Sequence, residues 1–384
     1  MKMKKLKSGM KAAISMSILS VAGHAGAVEL NAGDYNVNLY GFARVAASYD
    51  LDENIASGGQ SGSIGAVNTS GSDGASGHFG MDANTSRLGL SVESPEGVKT
   101  VVELDFDNND TLVPRLRHAY GEYNGVLIGQ YWSNYLSFFG NSSTLDFDSL
   151  PGTGGTVNRV PQIRYTSGPL SFSIEEQLGG LVNNDLGGPG NVTKSTPTVT
   201  ARFQDSMGGM SYAAGAMAKQ ITVDDGTVDD SAFGYGAFVS GNIAVTESLT
   251  LRAAINYTDG AAAYIYRTGS NGFFGLDAYT TSASGDLETI ESVGGTFGAS
   301  LNLGGGSSVN VGYGIAEQDL DEAAAAGAAV GGESERNSML AANYQWSPVA
   351  KVKMGVEYAR ISKENQDGSD GDANRVMFLA QYSF

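Results

Sequence analysis

The sequence predicts an all-β fold: a 16-stranded antiparallel transmembrane β-barrel with short turns on one side, long loops on the other and an inward-folded third loop. Three observations predict it. Segments of about ten residues alternate apolar and polar positions with a period of two. Short connections alternate with long ones along the chain. The chain also reads as exported, with 54 Gly, 18 Tyr and 15 Phe, and after its first residues it has no apolar run long enough for a helical span.

The start is a targeting segment. Lys2, Lys4, Lys5, Lys7 and Lys11 precede the apolar "AAISMSILSVA" (12–22). Then comes "GHAGA", whose Ala25 and Ala27 form the small-x-small pattern of a signal-peptidase site. Residues 1–27 read as a signal peptide, and 28–384 as one barrel domain. Removing five lysines leaves 18 basic against 41 acidic residues, a net of −23. Nucleic acid is no partner for such a chain. With no cysteine, the sequence excludes a lipidated N-terminus, a disulfide scaffold and a thiolate metal site.

The strands follow in order. "VNLYGFARVAASY" sets Val37, Leu39, Ala43, Val45 and Ala47 against Asn38, Arg44 and Ser48. "RLGLSVE" sets Leu88, Leu90 and Val92 against Arg87, Ser91 and Glu93. "VKTVVELDFD" sets Val98, Val102, Leu104 and Phe106 against Lys99, Glu103, Asp105 and Asp107. "LTLRAAINYT" and "KVKMGVEYA" repeat the pattern, the latter placing Lys351, Lys353 and Glu357 on its polar face. Seven short turns fall at 94–97, 124–125, 167–169, 205–209, 245–248, 304–307 and 347–350. Eight longer stretches lie near 50–78, 107–113, 135–158, 179–195, 220–231, 259–286, 317–335 and 362–373. Together they separate sixteen strands and put both termini on the short-turn side, the periplasm of a Gram-negative cell. The Ala-rich "DEAAAAGAAVGG" (321–332) reads as an external loop. The closing "RVMFLAQYSF" puts Val376, Phe378, Ala380, Tyr382 and Phe384 on one face and ends on an aromatic, as outer-membrane barrels do. Tyr49, Tyr257 and Tyr358 fall at outer strand ends, and Tyr344, Trp346, Tyr382 and Phe384 at inner ones, where amphipathic rings favour the headgroup layer.

"LYGFARVAASYD", "TSRLGLSVES", "PRLRHAYGEYNGVLIGQYWSNY" and the closing strand resemble the DcaP-like family of Gram-negative trimeric porins. The first 170 residues carry nearly all of the specific resemblance. It implies a trimeric sixteen-stranded channel whose third loop folds into the lumen and which passes small anions, notably dicarboxylates. Family members often carry a coiled-coil extension before the first strand. Here about ten residues separate Ala27 from Val37, too few for heptads. The barrel walls alone are then expected to hold the trimer. The "PEFG" motif of general porins is absent from the third loop.

Selectivity in such a channel rests on bore, loop constriction and lining charge. "YLSFFGNSSTLDFDSLPGTGG" (135–155) has apolar anchors, Leu136, Phe138, Phe139, Leu145 and Phe147, that are unusual for a loop in water. It is the constriction candidate, with Asp146 and Asp148 toward the bore. Arg44, Arg87, Arg115, Arg117, Arg164, Arg202 and Arg252 have lumen parity, and Arg159 lies just before the sixth strand. Arginine forks suit carboxylates, so these side chains fit a pore that prefers anions. Glu103 and Asp105 share the lumen face, so the same arginines can instead brace the wall across strands. Both roles stay open.

Unbroken alternation through "PRLRHAYGEY" puts His118, Tyr120 and Glu122 on the outer face, where charge is costly in lipid. Contact with a neighbouring subunit of a homotrimer would remove that cost. The expected surroundings are outer-membrane lipid and lipopolysaccharide. No nucleophile, zinc or phosphate-loop motif is present, so no catalytic residue, cofactor or metal is assigned. The acidic stretches 107–110 and 222–230 read as solvated faces. The alternatives are a general or cation-preferring porin and, from another class, an enzyme or adhesin barrel.

Overall fold

The computed structural model describes residues 27–55, 60–71, 76–107, 113–179, 182–184, 188–189, 192–193, 196–224, 229–280 and 286–384. Apart from Ala27 the expected signal peptide (1–27) lies outside them, as do parts of the acidic stretches 107–110 and 222–230.

Sixteen strands form the wall. They are β1 (Tyr35–Asp50), β2 (in two pieces, His78–Asp82 and Arg87–Glu93), β3 (Lys99–Asp105), β4 (Arg115–Tyr123), β5 (Val126–Trp132), β6 (Arg159–Ser167), β7 (Leu170–Glu175) and β8 (Thr198–Met207). The second half comprises β9 (Met210–Asp224), β10 (Asp229–Ala244), β11 (Leu249–Asp259), β12 (Glu291–Gly304), β13 (Ser307–Gln318), β14 (Ser334–Trp346), β15 (Val352–Asn365) and β16 (Asp370–Ser383). Each pairs antiparallel with its sequence neighbours, and β16 returns to β1 from Phe42↔Ser383 to Asp50↔Arg375. The barrel is therefore closed. Val28–Ala32 folds back on β1 as a hairpin and occupies the stretch of β1 that β16 does not reach.

The alternation follows from the two solvents of a membrane barrel. On β11 the outward Ile255 is 60 % exposed, while its neighbour Asn256 is wholly buried. On β6 the outward Ile163 alternates with the buried Gln162 and Arg164. All seven turns fall where the spacing predicts, and the longer connections lie between the expected pairs of strands. Strands extend into the fifth and eighth of these stretches: β9 runs to Asp224, β10 starts at Asp229, β15 runs to Asn365 and β16 starts at Asp370. At the β4–β5 turn, Asn124 and Gly125 have φ of +48° and +81°, the left-handed pair that a two-residue hairpin requires. In the Ala-rich loop, Asp321–Ala325 forms one helical turn. Leu320, Ala323 and Val330 beside it pack on Leu276, Tyr279 and Ile290.

The lumen is partly filled. The first loop (51–77) packs Ile55, Ile64 and Val67 against Met339, Ala359, Ile361 and Ala373 of β14–β16. The third (133–158) crosses the barrel. The sixth (260–290) buries Ala261, Ala263 and Tyr264 with Tyr135, Met217 and Phe238. A buried ion pair, Lys219 Nζ to Asp277 Oδ2 at 2.6 Å, ties that loop to β9.

The third loop's backbone finds its partners on the inner wall. Glu357 Oε2 accepts from Leu145 N at 2.7 Å and from Asn343 Nδ2 at 2.8 Å, and its Oε1 accepts from Asp146 N at 2.9 Å. Gly140 N donates to Ser240 Oγ at 2.8 Å, and Tyr135 Oη to Asn256 Oδ1 at 2.6 Å. Glu357→Ala leaves the Leu145 and Asp146 amides unsatisfied, at about 1–3 kcal/mol each. The barrel should still form, but amides 140–150 should lose protection in hydrogen exchange. Wild-type protection there would exclude Glu357 as the anchor.

Candidate functional site

The arginine pair in "PRLRHAYGEY" sits at a β-bulge. Asp105 pairs with Arg115 and Leu104 with Leu116, but Glu103 pairs with His118, so Arg117 is an extra residue in β4. A bulge re-aims the side chains beyond it. The parity of β4 flips, and this corrects the outward placement of His118, Tyr120 and Glu122. His118 is 5 % exposed and lies inside, its ring 5.0 Å from that of Tyr131 and 5.5 Å from that of Trp132. Tyr120 pairs with the buried Val101, and Glu122 with Lys99. All three therefore fall on the lumen side of β4. Gln130 supports the bulge by donating to the carbonyls of Leu116 and Arg117 at 2.9 and 3.1 Å. Gly129, at φ +131°, lets the strands meet there: a Cβ would lie 2.3 Å from the Ala119 carbonyl oxygen.

Beside the bulge lies a cavity of about 710 Å³ between β1–β6, the ends of β15 and β16 and the three inward loops. Seven cations line it, Arg44, Arg87, Arg115, Arg117, Arg159, Arg267 and Lys353, against three carboxylates, Asp107, Asp146 and Asp148.

The cations fall into two groups. Three are braced. Arg115 grips Asp105 with two bonds of 2.9 Å and meets Asp107 at 2.8 Å. Arg117 bridges Glu103 at 2.9 Å and Asp105 at 2.7 Å, and Arg87 reaches Glu103 at 3.3 Å. Glu103 and Asp105 are about 1 and 0 % exposed, so they do not face the cavity but lie beneath the arginines as counter-charges. The other four, Arg44, Arg159, Arg267 and Lys353, have no carboxylate in ion-pair contact among the described residues. Arg44 donates to the Leu145 carbonyl at 2.8 Å. Arg159 lies over Trp132, 4.8 Å from the ring centroid. Trp132 also carries Arg117, and Phe147 lies between Arg44 and Arg117. Cation–π contact orients a guanidinium without cancelling its charge.

Three of the arginines with expected lumen parity lie away from the cavity. Arg164 donates to Gln162 and to the Trp132 carbonyl, and Arg202 to the Leu136 carbonyl at 2.5 Å. Both support the root of the third loop. Arg252 bonds Ser300 Oγ at 2.6 Å, away from the cavity. Asp146 is 3 % exposed, its oxygens taken by the amides of Gly62 and Asp148 at 2.7 and 2.9 Å. Asp148 is half-buried on the cavity wall. Burial pushes its carboxyl up to about 6, Asp146 and Asp107 add to the rise, and Arg267 opposes it. Lys353 and Arg267 were not expected. Lys353 already had lumen parity, and Arg267 follows the apolar run "AAAYIY" in a loop, the same kind of signal that marked the third loop.

The fold is shared with solved porins. The outer membrane channel DcaP of Acinetobacter baumannii superposes with a TM-score of 0.78 at 26 % identity, over 94 % of this chain and 100 % of that one. The anion-selective porin of Comamonas acidovorans gives 0.56 at 12 % identity, over 91 and 100 %. The trimer form of OmpT from Vibrio cholerae gives 0.54 at 12 %, over 92 and 100 %. These last two show the fold alone. No curated protein sequence matches the chain. The profile of the DcaP outer membrane protein family matches residues 6–384, and the chain belongs to that family of outer-membrane channels.

Proposed function

We propose that this channel passes small hydrophilic solutes passively and prefers anions, with small dicarboxylates favoured. The charge balance of the cavity carries the reading: seven lining cations against three carboxylates. The cations also form a path. Arg115 and Arg159 begin their strands at the loop end, Arg44 lies midway along β1, and Lys353 stands near the short-turn end of β15. Successive fixed charges in a narrow bore hand an anion along without trapping it. Two carboxylates would engage two forks at once. In this reading the long loops face the exterior and the termini the periplasm, after removal of the signal segment. Lipid and lipopolysaccharide surround a homotrimer. Trimeric assembly rests on the resemblance to trimeric porins, since the polar outer wall that unbroken alternation predicts at His118 and Glu122 is absent.

Cation preference is the second reading. A cleft at the loop end is lined by Glu291, Glu317, Asp319, Asp321 and Glu335, with only Arg336 opposing them. Charges beyond about 8 Å are screened at physiological salt, so the narrowest point outweighs the rim.

Single-channel recording across a salt gradient in planar bilayers separates the readings. The reversal potential should have the sign of anion preference; the cation sign would overturn the proposal. A unit charge about 8 Å from the ion path in water is worth about 0.5 kcal/mol. Such a charge attracts an anion and repels a cation alike, and screening over about 8 Å cuts both effects to about a third, so Arg159→Gln, Arg44→Gln and Lys353→Gln should each lower the anion-to-cation permeability ratio about twofold. Unchanged ratios in all three would place the selectivity elsewhere.

A pH dependence follows from Asp148. Its carboxyl is neutral below about 6 and charged above, so the cavity gains positive charge as pH falls. The anion ratio should rise as pH falls through that value, and Asp148→Asn should hold it at its acid level. A ratio that falls on acidification contradicts this assignment.

A further inference from the structure

We propose that Arg267 is a positioning residue that sets the bore of the channel by clamping the first, third and sixth loops at one point. The inference rests on the channel reading but not on its anion preference.

Arg267 belongs to the sixth loop and is 1 % exposed. Its Nη1 donates to the Ser149 carbonyl of the third loop at 2.5 Å, and its Nη2 to the Gly62 carbonyl of the first loop at 2.6 Å. Its own carbonyl accepts from Asn337 Nδ2 of β14 at 3.0 Å, which fixes the clamp to the wall. Three loops and the barrel thus meet through one side chain and one peptide unit. Elsewhere the loops are joined in pairs. Gly62 N meets Asp146 Oδ2 at 2.7 Å, Phe147 N meets the Gln60 carbonyl at 2.9 Å, and Gly152 N meets the Tyr266 carbonyl at 2.9 Å.

The chemistry marks a clamp rather than a brace. Arg87, Arg115 and Arg117 neutralise carboxylates. Arg267 instead spends its donors on neutral carbonyls, and its Nε is buried without a partner. Charge-assisted bonds to carbonyls are stronger than neutral ones, and the planar fork serves two acceptors in fixed directions. Its backbone is at φ +64°, a left-handed conformation that non-glycine residues rarely adopt. Such a conformation persists where the surroundings over-determine it. Here the guanidinium is aimed back between the other two loops. Those loops line the cavity through Ser61, Ile64, Phe147 and Ser149, and the sixth lines it through Phe273. Releasing Arg267 therefore frees the sides of the cavity that the loops form and leaves the barrel-wall side in place.

The test uses the full chain refolded or expressed in outer membranes, with barrel formation checked by heat-modifiable migration. Liposome swelling with neutral sugars of increasing size reads the bore independently of charge, so it reports on the clamp even where the anion preference fails. Arg267→Ala should admit larger sugars and raise single-channel conductance severalfold. Arg267→Lys keeps the charge but donates from a single point, so it should fall between wild type and Arg267→Ala in size limit. Asn337→Ala leaves the guanidinium in place and slackens its anchor, and should widen the limit slightly. A folded Arg267→Ala channel with wild-type size limit and conductance overturns the proposal. If Arg267→Ala does not fold, unchanged limits in both Arg267→Lys and Asn337→Ala overturn it.

Discussion

Hydrocarbon offers no partner to a peptide group, and this constraint underlies the rest of the molecule. A chain that crosses the membrane with strands must pair every backbone N–H and C=O within its own ladder. Closure of β16 on β1 meets that demand and leaves no exposed edge in the wall. The outer face is then apolar and the inner face polar, whatever the channel carries. A loop entering the lumen brings unpaired peptide groups with it. It can stay only where the inner wall offers partners, and Glu357, Asn343, Ser240 and Arg202 are those partners for the third loop. The constriction is thus a consequence of the polar lining as well as a modifier of it.

The same lining solves an electrostatic problem. Several arginines in a confined space repel one another, and desolvation makes this worse. Glu103 and Asp105, sunk into β3, offset part of that cost and hold Arg87, Arg115 and Arg117 in place. The aromatic rings of Trp132 and Phe147 separate neighbouring guanidiniums without neutralising them. Wall-bracing and cavity-facing positions, which looked like rivals for each arginine, are divided among them. The braced group forms the floor. Arg44, Arg159 and Lys353 carry charge that no carboxylate contacts among the described residues.

Much of the fold was legible in the residues. Period two, the turn rhythm and the aromatic end are local signals, and the two-solvent environment of a membrane barrel makes them strict. The site was less so. Alternation assigns a face only while the register is unbroken, and one extra residue at Arg117 reversed the reading for His118, Tyr120 and Glu122. Lumen parity also does not distinguish a residue that lines a passage from one that supports a loop root, as Arg164 and Arg202 do.

The sequence by itself determined that this chain makes a closed sixteen-stranded barrel with a third loop built to pack inward, because strand periodicity and turn chemistry act over a few residues. Only the tertiary structure decided which arginines face carboxylates and which face the cavity. It alone showed that the first and sixth loops also enter the lumen, and that Arg267 joins them to the third. Those outcomes depend on contacts between residues as far apart as Gly62 and Arg267, and no local pattern encodes which of two inward-facing charges finds a partner first.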